Sequence, residues 1–413
     1  MKNLKIFCLL TFVFVGLLAN AQENKVKIKI GGFVATEAAY DSYQMVTSRQ
    51  GMILLFPANK SLDANGNNLN ERSSFMMSAL ETRLNVAISG FTAFGAKGSA
   101  FIEGDVSGTS NASSGLVRLR HAFIKLDWGK SNVVAGKYWH PLFVPSAFPR
   151  VLHVGGAIPF GVLSRAPQLR YTRNIGKATS INFAVLSEMD FASKGPSGAS
   201  SQYVQQSGVP EFSAQIKSHL NSSIEVGATL GHKTIMPFVE NSKNAKTSET
   251  LGSSYANAWL GLTTSKFKWN TQLVYGQNMH AFSMLGGYGV KNIKDNGDYE
   301  YTNITTSSFT SDIYTTTGSI RYGLNVNYSQ NHGADNNLYI DGKKGVMLFS
   351  RGGNIDHLYQ ISPRAEFISG KVSLGVEAIY TAAAYGAIQK DGRVKDTYTV
   401  DGTRLLLHLK YSF

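Results

Sequence analysis

The feature that most constrains the fold is an alternation of side chains that recurs along the chain and runs to its last residue. In the final ten residues, RLLLHLKYSF, apolar or aromatic side chains occupy every second position from Leu405 to Phe413. Mostly polar side chains lie between them, which is the pattern of a β-strand with one apolar face. Since no residue follows Phe413, we expect that face to be covered by something other than a later segment.

The same alternation recurs in residues 80–89, 223–230, 267–276, 319–329 and 371–380, whereas helical spacing is not sustained after the N-terminal region. The fold class is therefore predicted to be all-β. Segments of about ten residues give sixteen candidate strands. These are residues 25–41, 75–89, 95–107, 116–127, 132–139, 167–174, 179–188, 210–220, 223–235, 253–264, 267–279, 305–315, 319–330, 356–368, 371–385 and 397–413.

The N-terminus has the pattern of a secretory signal peptide. Lys2 and Lys5 precede an apolar run over residues 6–18, and the small-x-small site 19–21 follows. We predict that residues 1–21 are removed by cleavage between Ala21 and Gln22, leaving residues 22–413 as one domain. The sole cysteine, Cys8, lies in the removed segment, so the exported chain is expected to contain no disulfide and no thiolate metal ligand.

The predicted connections alternate between tight turns and long loops rich in Gly, Asn and Ser, such as 42–74, 140–166 and 189–209. Short turns on one rim and long loops on the other are typical of bacterial outer-membrane barrels. We therefore predict a closed antiparallel transmembrane β-barrel of about sixteen strands, in which strand 397–413 pairs with strand 25–41. Its partners would be outer-membrane lipid and lipopolysaccharide, with an aromatic girdle formed by Phe267, Trp269, Tyr411 and Phe413.

Charged side chains of the strands are expected to face the lumen, because an arginine facing lipid at the midplane costs ~2–4 kcal/mol. In strand 116–127 we expect Ala122 to face inward and Phe123 to face outward, although a register slip near His121 would reverse both faces. The residues predicted to face inward are Arg83, Glu103, Asp105, Arg118, Arg120, Arg170, Arg364 and Glu366. The residues predicted to form the pore constriction are Arg83, Arg118, Arg120, Arg165, Arg170, Glu103 and Asp105. The alternative for each arginine is solvation near a rim.

Residues 137–173 carry five of the ten prolines and many apolar side chains for a segment that nominally faces water. Proline removes backbone donors and stiffens an extended segment without strand pairing. An apolar loop is better accommodated by folding into the barrel and packing on its wall. We therefore predict that loop 140–166, the third on the long-loop rim, folds inward.

The stretch LRHAFIKLDWGKSNVVAGKYWHPLF resembles the corresponding strand–turn–strand of porins from Bacteroidota and of the DcaP-like trimeric porins. The segment 81–84, ETRL, and the terminal Phe413 fit the same resemblance, which is most specific over residues 75–175. The resemblance implies a homotrimeric, water-filled, sixteen-stranded outer-membrane pore. It also implies that Arg83 and Arg120 line the constriction and that Arg165 lies where the third loop returns to the wall.

One departure from that pattern concerns charge. General diffusion porins usually place an acidic loop opposite the arginine wall, but no acidic residue occurs between Asp127 and Glu188. The same interval carries seven basic residues, and the whole chain has a formal net charge of +13. A positive field in a narrow lumen favours anions, so we predict a pore for small hydrophilic solutes that prefers anions. For Lys130 and Lys177, near turns, pairing with lipopolysaccharide phosphates is the alternative.

Other function classes have little support in the sequence. It has no HExxH, GxSxG or Walker motif, so we predict neither an enzyme nor a bound cofactor. Asp63, Asn65 and Asn67 are interpreted as turn residues rather than metal ligands, because the later spacing of a calcium loop is absent. No basic stripe interleaved with aromatic residues indicates nucleic-acid binding. The alternative to a pore is a barrel-anchored surface protein, structural or adhesive, that acts through its long loops.

Overall fold

A computed structural model describes residues 26–342 and 345–413, in which sixteen antiparallel strands form one closed barrel. The predicted cleavage site at Ala21 and Gln22 lies outside the described residues. Strands β1 to β8 are Lys27–Asp41, Ser74–Ser78 continued by Arg83–Ala93, Ala96–Asp105, Arg118–Asp127, Ser131–Trp139, Arg165–Ile175, Thr179–Leu186 and Glu211–His219. Strands β9 to β16 are Ile224–Ile235, Leu251–Thr263, Phe267–Gln277, Tyr299–Thr315, Ile320–Ala334, Ile355–Ser369, Val372–Ile388 and Val394–Ser412.

The barrel closes between its first and last strands, as the sequence predicts. β1 and β16 are antiparallel, with register from Phe33 opposite Ser412 to Asp41 opposite Arg404. At this seam Arg404 forms a bidentate ion pair with Asp41, with N–O distances of 2.7 and 2.8 Å. Pairing of the last strand with the first leaves the ring without an exposed edge.

The outer face of β16 carries the leucines with which the sequence ends. Leu405, Leu407 and Leu409 are 43–55 % exposed, whereas Leu406 and His408 between them are buried. An apolar outward row in a closed ring is the arrangement of strands that face lipid. The apolar face of the C-terminal strand therefore lies on the outside of the ring, where lipid would cover it.

The strand connections divide between the two rims in the predicted way. One rim carries tight turns, including 94–95, 128–130 and 370–371, and the opposite rim carries long connections such as 42–73 and 140–164. We call the connections 42–73, 140–164, 278–298 and 335–354 L1, L3, L6 and L7, by their order on that rim. Within the described residues no helix is long and apolar enough to cross a bilayer.

The face assignment of two residues in β4 was wrong. The register shifts between Glu103, opposite His121, and Gly104, opposite Leu119, so β4 has one extra residue at Arg120. Such a bulge reverses the alternation beyond it. Phe123 therefore lies inside, with its ring centroid 4.6 Å from that of Tyr138. Ala122, predicted to face inward, pairs with the outward residue Ile102.

The remaining short elements lie in the long connections. Gly286–Ile293 in L6 pairs with β12 and with Leu348–Arg351 in L7. The others are the hairpins Met45–Ser48 with Ile53–Pro57, Lys194–Gly195 with Gly198–Ala199, and Ile340–Asp341 with Gly345–Val346, the helix α1 at Gln202–Ser207, and 3-10 turns at Asn111–Ser113 and Met279–Phe282.

L3 folds into the barrel, as predicted, and it is joined there by an element that we did not predict from the sequence. The L3 residues Leu142 and Phe160 are completely buried. The L1 hairpin is also internal, because Phe56 packs with Phe160 and with Tyr385 and Val400 from the inner face of the wall. Two loops therefore narrow the lumen.

Candidate functional site

The site begins with the attachment of L3 to the wall. At the start of the loop, His140 Nε2 lies 2.9 Å from Glu211 Oε1 in β8, and both side chains are buried. Near its middle, the backbone N–H groups of Leu152 and His153 donate to Glu377 Oε2 in β15 at 2.9 and 3.2 Å. These contacts hold L3 on one side of the lumen, away from β2–β6.

Between L3 and β2–β6 lies a cavity of about 390 Å³. Its L3 side is mostly apolar and includes Phe143, Phe148, Ile158 and Leu163. Its other sides carry six arginines: Arg49, Arg83, Arg118, Arg120, Arg165 and Arg351. The predicted wall arginines Arg83, Arg118, Arg120 and Arg165 are thus brought together.

Two of the wall arginines are paired with acids of the same wall. Arg118 donates to Asp105 through Nε at 3.0 Å and Nη2 at 2.5 Å, in a bidentate pair. Arg120 donates to Glu103 at 2.6 Å and to Asp105 at 3.1 Å. Charge-assisted hydrogen bonds of this kind fix the positions of both side chains. Glu103 and Asp105 were predicted to belong to the constriction, and the structure places them behind Arg118 and Arg120 instead of on the cavity surface.

Arg165 and Arg83 have weaker contacts with carboxylates than Arg118 and Arg120 have. The Arg165 guanidinium lies between the rings of Trp139 and Phe191, 5.1 and 4.9 Å from their centroids, and its buried Nε has no hydrogen-bond partner among the described residues. Arg83 Nη2 is 3.7 Å from Glu81 Oε1. Cation–π contact supports a guanidinium without cancelling its charge.

The cavity and its immediate surroundings have a positive balance. Asp190, the acid on the cavity surface, is paired with Lys137 at 2.6 Å. The six arginines and Lys137 make seven cations, against the four carboxylates Glu81, Glu103, Asp105 and Asp190, which leaves an excess of three positive charges.

The remaining predicted residues lie elsewhere. Arg170 lines a different cavity, between β2 and β6, and donates to Gln168 at 2.9 Å. The proposed girdle residues lie toward the rim with tight turns; Trp269, Tyr411 and Phe413 are 37–47 % exposed, and Phe267 is half-buried. Asp63 Oδ1 accepts the backbone N–H groups of Asn65 and Asn67 at 2.8 Å, as a turn residue does.

Sequence reasoning missed the contributions of L1, L6 and L7. Arg49, His280 and Arg351 all reach the cavity from these loops. Burial and the neighbouring Arg351 lower the pKa of His280 well below its ordinary value, so this imidazole adds no charge. The apolar run MILLF at residues 52–56 was a usable signal, because it contradicts an exposed loop as strongly as the apolar content of L3 does.

Comparison with solved structures identifies the architecture. The outer-membrane channel DcaP of Acinetobacter baumannii is 16 % identical, with a TM-score of 0.70 over 96 % of this chain and 100 % of that one. The chain has the fold of the outer-membrane porins. An anion-selective porin from Comamonas acidovorans gives a TM-score of 0.55 at 12 % identity, over 94 % of this chain and 100 % of that one.

OmpT, an outer-membrane protein of Vibrio cholerae, gives a TM-score of 0.56 at 10 % identity, over 95 % of this chain and 99 % of that one. No protein-family model and no curated protein matches the sequence. The resemblance to DcaP-like porins is confirmed at the level of the fold, and the resemblance to porins of Bacteroidota stays a prediction.

Proposed function

We propose that this chain is an outer-membrane porin that allows small hydrophilic solutes to diffuse across the membrane and prefers anions. It would be exported after cleavage between Ala21 and Gln22, and would assemble as a homotrimer. The observation that carries the proposal is the excess of three positive charges around the cavity between L3 and the arginine wall. The likeness to the DcaP channel and to an anion-selective porin supports it.

Distances within the cavity are short enough for a single fixed charge to change the energy of a permeating ion. At ~5 Å and an effective dielectric near 20, one fixed charge contributes roughly 3 kcal/mol to the energy of a permeating ion before screening. About 1.4 kcal/mol corresponds to a tenfold ratio, so a fraction of this energy is enough for selectivity. The cavity has no acidic L3 surface to oppose it, since L3 carries no Asp or Glu.

The test is the zero-current potential of the purified protein in a planar bilayer under a KCl gradient. The wild-type pore should prefer chloride. Replacing Arg83 and Arg165 together by glutamine should move the potential toward cation preference. Among the described residues Arg165 has no ion pair, and Arg83 has only the 3.7 Å contact with Glu81. We expect the ratio of chloride to potassium permeability to fall at least threefold.

Lys130→Gln is the matched control, because Lys130 is exposed in a tight turn. It removes one positive charge at a distance from the cavity and should leave the potential unchanged. A wild-type pore that prefers potassium, or a double variant with an unchanged potential, would contradict the proposal.

One observation favours the alternative of a barrel-anchored surface protein. The long loops share an apolar cluster, in which Tyr203, Tyr288 and Val290 pack with Tyr301 of β12. L1 and L3 also pack together inside the barrel. If purified oligomers insert into bilayers without conducting, this alternative replaces the porin proposal.

A further inference from the structure

We infer that Arg49, at the tip of the L1 hairpin, is a selectivity-determining residue of the pore. The inference rests on the proposed function and extends it to a residue that the barrel wall does not supply. Because L1 belongs to the rim with long connections, the hairpin brings this charge into the lumen from that side. Three sets of contacts carry the inference: the anchoring of the hairpin, the backbone at its tip and the surroundings of the guanidinium.

The hairpin is fixed to the wall rather than suspended in the lumen. Its residues Met52 and Leu54 are each 1 % exposed. Phe56 packs against Phe160 of L3 and Tyr385 of β15, and the Tyr385 hydroxyl donates to the carbonyl oxygen of Pro57 at 2.6 Å. A side chain at the tip of a hairpin anchored in this way has a defined position in the cavity.

The backbone at the tip has a left-handed conformation at two residues that are not glycine. Arg49 and Gln50 have φ values of 58° and 55°, and Gly51 follows with 93°. Left-handed backbone is unfavourable for residues with a Cβ atom, and glycine is the usual residue there. The tip is secured to the neighbouring loop, where Asn111 Oδ1 accepts the Gln50 N–H at 3.1 Å. Since arginine is unfavourable in this conformation, we attribute its presence here to a functional role of its side chain.

The Arg49 guanidinium faces the cavity without neutralisation. Its Nε and Nη1 are buried and have no hydrogen-bond partner within residues 26–342 and 345–413. Burial and the neighbouring Arg118 lower its pKa to about 10, so it remains charged at neutral pH. Arg351, the other loop arginine of the cavity, instead donates to the carbonyl oxygens of His280 and Met284 at 3.2 and 2.9 Å. Arg351 therefore supports L6, whereas Arg49 lines the cavity with a charge that has no ion pair among the described residues.

The experiment uses the absence of cysteine after Cys8, which lies in the predicted signal peptide. Arg49→Cys is introduced into the full chain, and the zero-current potential is recorded in a KCl gradient before and after modification. The variant should lower the ratio of chloride to potassium permeability at least twofold. A methanethiosulfonate reagent with a positive group should restore the ratio, and one with a negative group should lower it further.

Arg72→Cys is the matched control, since Arg72 is an exposed residue of the same loop and loses the same charge. It should leave the ratio unchanged with either reagent. Arg49→Gly suits the left-handed backbone, so it should assemble at least as well as the wild type and still lose selectivity. This variant excludes misfolding as the cause of the change.

The outcomes separate the two proposals. If the wild-type pore prefers chloride but Arg49→Cys and Arg49→Gly have wild-type ratios, the inference about Arg49 is overturned and the porin proposal stands. If the wild type does not conduct or prefers potassium, the proposed function itself fails. A response of Arg49→Cys to both reagents, without a response of Arg72→Cys, establishes the inference.

Discussion

At the level of single residues, the acids of the wall determine how much of the arginine charge at the cavity is unpaired. Asp105 is 4 % exposed and accepts hydrogen bonds from both Arg118 and Arg120. Removing one partner of a buried ion pair leaves an uncompensated charge and typically costs roughly 3–5 kcal/mol. The same change would release positive charge toward the cavity.

We therefore predict opposite effects of Asp105→Asn on stability and selectivity. The free energy of unfolding should fall by roughly 3 kcal/mol, and the zero-current potential should move toward stronger anion preference. Thermal unfolding and bilayer recording measure the two effects. Asp127→Asn is the control, because Asp127 pairs with Lys125 at a site where both side chains are 37 % exposed, and exposed pairs contribute little. A variant with reduced anion preference would show that Asp105 does not screen the arginines.

At the scale of elements, L3 depends on one buried carboxylate for the position of its middle. Glu377 accepts the N–H groups of Leu152 and His153, the His153 ring Nδ1 at 3.1 Å, and the Ser362 hydroxyl at 2.6 Å. His153 Nε2 also contacts the carbonyl oxygen of Gly156 at 2.5 Å.

Glu377→Gln should loosen L3, because the amide supplies one neutral acceptor oxygen in place of two carboxylate oxygens, and its NH₂ group cannot accept from the donors that it faces. Leaving buried donors unpaired costs roughly 1–3 kcal/mol each, so we expect L3 to sample more than one position. Single-channel records should then show more open-channel noise and frequent subconductance steps. Asp356→Asn removes a comparable His–carboxylate contact with His357, 2.8 Å long and partly exposed, and should leave the records unchanged. Quiet, uniform openings of the Glu377→Gln pore would contradict a positioning role for Glu377.

At the scale of the whole molecule, the two rims define the orientation of the barrel in the membrane. Residues 60–70, 195–205 and 340–350 belong to long connections of one rim, and positions 129–130, 221–222 and 369–370 lie in or next to tight turns of the other. Outer-membrane barrels place short turns in the periplasm. Epitope tags at the first three sites should react in intact cells, and tags at the last three only after permeabilisation. The reverse pattern of labelling would refute this orientation.

The strands and the closure of the ring could be predicted from the order of side chains alone. All sixteen predicted strands correspond to strands of the ring, with ends displaced by a few residues. A period of two is a local property that can be read from side-chain order, and lipid favours apolar side chains at outward positions. The same reasoning identified the inward course of L3, because a proline-rich apolar segment has no stable place in water.

The tertiary structure decided the faces beyond a bulge and the composition of the site. The extra residue at Arg120 depends on pairing with β3, which the order of residues in β4 does not encode. Arg49 and Arg351 are far from the wall arginines in sequence, and their arrival at one cavity depends on how L1 and L7 pack on the inner wall. The charge that a solute meets likewise depends on which arginines find a carboxylate, and that pairing is a consequence of distances between strands rather than of sequence spacing.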